Sequence, residues 1–161
     1  MIWGMSIATF TAVHVALSLI GIGAGLVVLY GMLGGKLYGR SNGLFLLTTI
    51  LTSMTGFGFP FEHLLPSHKV GIVSLVLLLI ALIALYGAHL SGRWRATYVV
   101  TAVMALWLNA FVLVAQLFLK VPSLHALAPN GKEPPFAIAQ LVLMVIFVVL
   151  GVKAVKRFRA A

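Results

Sequence analysis

Five long apolar runs, at about residues 6–33, 43–59, 68–91, 95–119 and 135–156, fill almost the whole chain. About 20 helical residues cross the hydrocarbon of a bilayer. Runs of 17 to 28 residues joined by connections this short leave no room for a soluble core. With 62% hydrophobic and only 8% charged residues, against about 25% charged in soluble domains, the chain has more apolar surface than its own folding can hide from water. The expectation is an all-α polytopic integral membrane protein, a five-helix transmembrane bundle forming a single transmembrane domain over residues 1–161.

Local signals place the ends of these helices. Gly34 and Gly35 suit the C-terminus of the first. Ser41 and Asn42 look like caps for the second, which Pro60 should stop after Phe59. Ser67 is an N-cap candidate for the third, with Gly92 beyond its end at Ser91, while Pro134 and Pro135 suit the first turn of the fifth.

A net charge of +9 would suggest nucleic acid in a soluble protein, but here the basic residues form no stripe interleaved with aromatics. They lie between the runs, where they orient the chain and meet anionic lipids. Lys36, Arg40, Arg93, Arg95, Lys153, Lys156, Arg157 and Arg159 share one side, and only Lys69, Lys120 and Lys132 the other. Eight against three puts the N-terminus outside and the C-terminus in the cytoplasm, with anionic lipids at the cytoplasmic face. Tyr30, Tyr38, Tyr86, Trp94 and Tyr98 then read as the inner aromatic belt, and Trp3, Phe57, Phe59, Phe61 and Phe136 as the outer one.

The first run lacks a preceding basic segment and is too long for a signal-peptide core, so it reads as a retained anchor. The expected setting is a bacterial inner membrane. The lack of cysteine excludes disulfides and thiolate metal sites. Glu62 and Glu133 are the only acids, too few for most magnesium-dependent phosphoryl chemistry.

Thr11, His14, Ser18, Gly21 and Gly25 recur at three- and four-residue steps, a stripe that should face other helices because small residues permit close approach in lipid. Gly21-Ile22-Gly23-Ala24-Gly25 is glycine-dense, but no strand precedes it, so it is no nucleotide fingerprint. Thr48, Thr52 and Thr55 share a face of the second helix, and Asn109 and Gln116 a face of the fourth. Such groups usually hydrogen-bond between helices; a polar wall for a quinone is the sharper reading.

The histidines are the main functional lead. His14 lies within the outer half of the first helix, His63 and His68 precede or open the third, and His125 precedes the fifth. His89 is 21 residues beyond His68, about 31 Å along a helix, and cannot join them. An ionisable group inside a span is costly and commonly functional. Two facing histidines are what a b-type haem needs, and His14 with His68 or His63 is the leading pair, with Asn109 and Gln116 beside the cofactor. His14, His63, His68, His125 and Glu62 also carry ligand types that suit copper or zinc. Glu133 should favour the start of the fifth helix through its dipole. All six prolines lie in the two outer connections, as in a rigid lid.

No motif names a reaction: HExxH, CxxCH and a glycine-framed serine are all missing. The expected function is a small redox-related membrane protein with a haem, metal or quinone site under its outer loops. The alternatives are a noncatalytic subunit or assembly factor of a larger membrane complex, and a small transporter acting as a homo-oligomer. No span contains a carboxylate to carry a driving proton, which weighs against transport.

Overall fold

A computed structural model describes residues 1–159. It contains α1 (Ile7–Leu33), α2 (Gly39–Gly56), α3 (Pro66–Leu82, continued by a π-helical turn Ile83–Gly87), α4 (Trp94–Lys120), a short α5 (Pro122–Leu127) and α6 (Pro134–Arg157). No strand is present among the described residues, only an isolated bridge between Ile2 and Met5 ahead of α1.

Four helices are long and apolar enough to cross a membrane: Ile7–Leu33, Pro66–Gly87, Trp94–Lys120 and Pro134–Arg157. Through the middle of each span their outward faces are apolar. On α6, Ile138, Leu141, Val145, Val148 and Val152 recur at three- and four-residue steps, and all are exposed. A face of that kind is stable in lipid and aggregates in water. The chain is a helical membrane protein.

The helices alternate in direction. Their contacts put Leu33, Gly39, Gly87, Trp94 and Arg157 at one end of the bundle, here the basic end, and Ile7, Gly56, Pro66, Lys120 and Pro134 at the other, the proline end. α1 lies closely on α2 and α4 because two of its residues have no side chain. A Cβ on Gly25 would stand 2.5 Å from Leu106 Cδ1 and 2.9 Å from Phe45 Cδ2, and one on Gly21 would stand 3.0 Å from Thr48 Oγ1. The expected stripe on α1 therefore does face its neighbours, through His14, Ser18, Gly21 and Gly25.

Towards the basic end the core is apolar, formed by Val28, Met32, Phe45, Leu106, Tyr98 and Phe158. One polar contact is sealed within it: the Tyr98 hydroxyl donates to Asn42 Oδ1.

Several expected helix ends move. Asn42 is a core residue, not a cap, because α2 starts earlier, at Gly39, and turns Asn42 inwards to Tyr98. α2 also ends at Gly56, three residues short of Phe59. Ser67 is no cap either: Leu65 is the capping residue of α3, with Pro66 in the first turn. At its other end α3 does not continue to Ser91. The Ala88 N–H closes a wide turn on the Ile83 carbonyl at 2.8 Å, after which His89 and Leu90 take positive φ values of 47° and 56°, conformations that end a right-handed helix.

Candidate functional site

α2 carries four threonines, and their hydroxyls have different fates. Thr48, Thr52 and Thr55 each donate back to the carbonyl four residues earlier, at 2.7, 2.8 and 2.7 Å. They satisfy themselves within their own helix. Thr49 does not. Its side chain is 1% exposed, and its Oγ1 has no hydrogen-bond partner among the described residues.

Thr49 lines a crevice of about 90 Å³ enclosed by α1, α2, α3 and α4, together with His14, Ser18, Ser53, Ser67 and Asn109. The crevice lies in the proline-end half of the bundle. His14 is seven residues into α1, about 10 Å along the helix from its start. Around it, Ser18 Oγ donates to Asn109 Oδ1 at 2.8 Å, and Asn109 Nδ2 reaches the Ser18 carbonyl at 3.4 Å. Ser53 Oγ donates to Ser74 Oγ at 3.1 Å.

His14 Nδ1 is 2.8 Å from Thr55 Oγ1. The Thr55 hydroxyl also lies 2.7 and 3.1 Å from the Leu51 and Thr52 carbonyls; when its proton points to them, the oxygen accepts from Nδ1, the neutral ring carries its proton there, and Nε2 keeps its lone pair. That is the tautomer in which an imidazole accepts a proton or binds a metal.

Aromatic rings cover the site at the proline end. Phe59 stands edge-on to His14 with ring centres 5.3 Å apart, and Phe10 and Trp3 continue the stack at 5.0 and 5.4 Å steps. Phe57 and Phe61 lie on His68 at 5.5 and 4.1 Å. Phe57, Phe59 and Phe61, expected at the lipid interface, pack on two histidines, and Phe61 remains 45% exposed.

His68 is 3% exposed. Its Nδ1 accepts the backbone N–H of Leu65 at 3.1 Å, so its neutral form holds the proton on Nε2. A ligating histidine has the opposite arrangement, donating through its second nitrogen to an acceptor. His68 thus completes the N-terminal cap of α3 by accepting the N–H of its capping residue, Leu65. His63, His125 and Glu62 are exposed, His125 on the short α5. No group of three or more His, Cys, Asp or Glu side chains able to hold a metal gathers among the described residues. Gln116 is exposed and does not share the crevice with Asn109.

Glu133 precedes α6 but does not cap it with its side chain. Its carboxylate folds back on the preceding turn, accepting from Asn130 N–H at 3.1 Å, Asn130 Nδ2 at 2.8 Å and Lys132 N–H at 3.0 Å. Desolvation raises its pKa, but these bonds together outweigh it and hold the carboxyl below its ordinary value of 4.5.

Thr49, Ser53, Ser67 and Ser74 are the site residues that sequence reasoning passes over. Their signal is present: Thr49-Ser53-Gly56 and Ser67-Gly71-Ser74 each follow a four-then-three spacing, so each forms one small, polar face. No known protein family, characterised protein or solved structure matches the chain.

Proposed function

We propose that this is a five-span inner-membrane protein, N-terminus outside and C-terminus cytoplasmic, whose crevice at His14 binds the head group of a membrane quinol in a redox-related role. The fifth span is α2. Gly31 on α1 lies by Tyr38 at its start and His14 by Thr55 near its end, so its 18 residues, about 27 Å of helix, lie along most of α1 despite Arg40 and its hydroxyl groups. Eight basic residues at one end of the bundle against three at the other supply the orientation.

The observation that carries the ligand is the pairing of an acceptor with an unused donor. His14 Nε2 has no partner among the described residues and, with Nδ1 protonated, a free lone pair; Thr49, on the wall of the same crevice, has a hydroxyl with no partner, covered in the free protein and packed towards Gly21. A quinol hydroxyl can donate to the first, and a second ring oxygen can accept from the second once the Thr49 side chain turns into the crevice. The volume of about 90 Å³ is well below the roughly 300 Å³ at which sites for drug-sized ligands begin. It is also below the roughly 150 Å³ of a cavity that holds benzene, so a quinol ring would sit partly outside the crevice and a haem b macrocycle would not enter it, and the proton on His68 Nε2 weighs against a His14–His68 haem pair or a copper site there.

The test is organic extraction of the pure protein, followed by titration with a short-chain quinol. Retained quinone, and binding lost in His14→Ala with the fold intact, are expected. No extractable quinone together with no binding by the wild type would overturn the reading, and a Soret band would replace quinol with haem.

A second reading, as a subunit or assembly factor of a larger complex, is favoured by Gln116. It is exposed on α4 beside the exposed Leu117 and Leu119, and an amide facing hydrocarbon lacks a partner that another helix could supply. Migration of the native protein as an isolated monomer in mild detergent would remove that reading.

A further inference from the structure

We propose that a second groove, on the outside of the bundle between α4 and α6, binds one acyl chain of an anionic phospholipid, with Lys156 holding its headgroup. The groove has a volume of about 470 Å³ and shares no residue with the His14 crevice. It is built from matching stripes: Val100, Val103, Met104 and Trp107 on α4, and a three- and four-residue series from Met144 to Lys156 on α6. Gly151 leaves its floor open, since a Cβ there would stand 3.3 Å from Val103 Cγ1.

Length and charge identify the occupant. Met144 to Lys156 is 12 residues, about 18 Å along the helix axis, and one leaflet of hydrocarbon is about 15 Å thick. Every lining residue is apolar except Lys156, which stands at the basic end, where a lipid phosphate would lie. A single chain with an anionic head matches a groove one leaflet long that ends in one cation. A second copy of this protein matches it poorly, because a parallel α6 would bring a second Lys156 and Arg157 to the same end. The assignment holds whichever side of the membrane the basic end faces.

Trp107 lines the groove and can report on it. Trp3 and Trp94 are 67% and 42% exposed, so replacing both with Phe leaves Trp107 as the sole tryptophan in a chain of three. This protein would be placed in phosphatidylcholine vesicles containing phosphatidylglycerol brominated on its acyl chains, or brominated phosphatidylcholine at the same mole fraction. Quenching of Trp107 should favour the anionic lipid about fivefold, the effect of one basic residue at the surface. Unbrominated phosphatidylglycerol should relieve it. Lys156→Gln should lower that preference and Lys156→Arg should restore it, while Gly151→Leu, by filling the floor, should weaken quenching by both. Equal quenching by the two brominated lipids in the wild-type background, or a preference unchanged in Lys156→Gln, would overturn the proposal. So would weak quenching by every lipid alongside a cross-linked dimer through α6, which would put a second copy in the groove.

Discussion

His14 Nδ1 lies 2.8 Å from Thr55 Oγ1, whose hydroxyl is also within hydrogen-bond reach of the Leu51 and Thr52 carbonyls of α2. With the hydroxyl proton kept within α2, the bond runs from Nδ1 to Thr55, and one helix's internal hydrogen bonding selects the tautomer of a side chain on another. Nitrogen-15 spectra of the histidine-labelled protein should place His14 in the form protonated at Nδ1. Thr55→Ser should preserve that state and Thr55→Val should mix the tautomers. A ring protonated at Nε2 in the wild type would show that the bond runs the other way.

The stripe on α1 was readable because its residue spacing and small side chains act together, whatever the neighbour. The partner of each group was not. Ser41 and Asn42 have the chemistry of caps, yet a buried tyrosine 56 residues away from Asn42 decides where Asn42 points, and nothing local encodes Tyr98. Likewise Phe57, Phe59 and Phe61 fit an interfacial belt by type and depth, and only the folded connection turns them onto His14 and His68. The histidine cluster was legible as a shared end of the bundle. Its division into a crevice residue, a capping side chain and exposed residues of the outer connections depends on tertiary contact: His14 Nδ1 meets the Thr55 hydroxyl and His68 Nδ1 the Leu65 N–H.

Ser18 and Asn109 join α1 to α4 by two bonds, at 2.8 and 3.4 Å. Interhelical hydrogen bonds in membranes average about 0.6 kcal/mol and reach about 1.7. A double-mutant cycle with Ser18→Ala and Asn109→Ala, read by reversible unfolding in mixed micelles, should give a coupling of about 1 kcal/mol. A coupling near zero would mean that water replaces the pair without cost.

Gly25 and Gly23 differ by two positions and should respond oppositely to alanine. The new Cβ at Gly25 meets Leu106 and Phe45 at 2.5 and 2.9 Å, whereas at Gly23 nothing lies within 4 Å. Gly25→Ala should destabilise by about 1–3 kcal/mol, the usual cost of overpacking, and Leu106→Ala should recover part of it by making room. Gly23→Ala should be neutral or slightly stabilising through its helix propensity. Equal effects at the two positions would contradict the close approach of α1.

Glu133 predicts an acid-sensitive turn. Its folded pKa is depressed below 4.5, so the order it gives to the Asn130 and Lys132 amides is present above the unfolded value and is lost as pH falls through the folded one. The protection factors of those two amides, taken against their intrinsic exchange rates, should fall below about pH 4.5 in the wild type and be low at all pH values in Glu133→Gln. The effect should be local, because the Glu133 carboxylate lies at the surface and bonds only to Asn130 and Lys132.

Thr49 separates stability from function. An unsatisfied buried hydroxyl costs about 1–3 kcal/mol, and Thr49 Oγ1 is such a group, with its side chain 1% exposed against α1 and the crevice. Valine keeps the shape and removes the donor. Thr49→Val should therefore raise stability by about 1 kcal/mol or more while weakening short-chain quinol binding, because the donor that the ligand would satisfy is gone. Thr48→Val should leave quinol binding intact, since that hydroxyl is spent on the Leu44 carbonyl. Unfolding in mixed micelles and quinol titration on the two variants would measure both quantities. If Thr49→Val were less stable than the wild type, the hydroxyl would already have a partner in the membrane, and the argument for a ligand at that oxygen would fail.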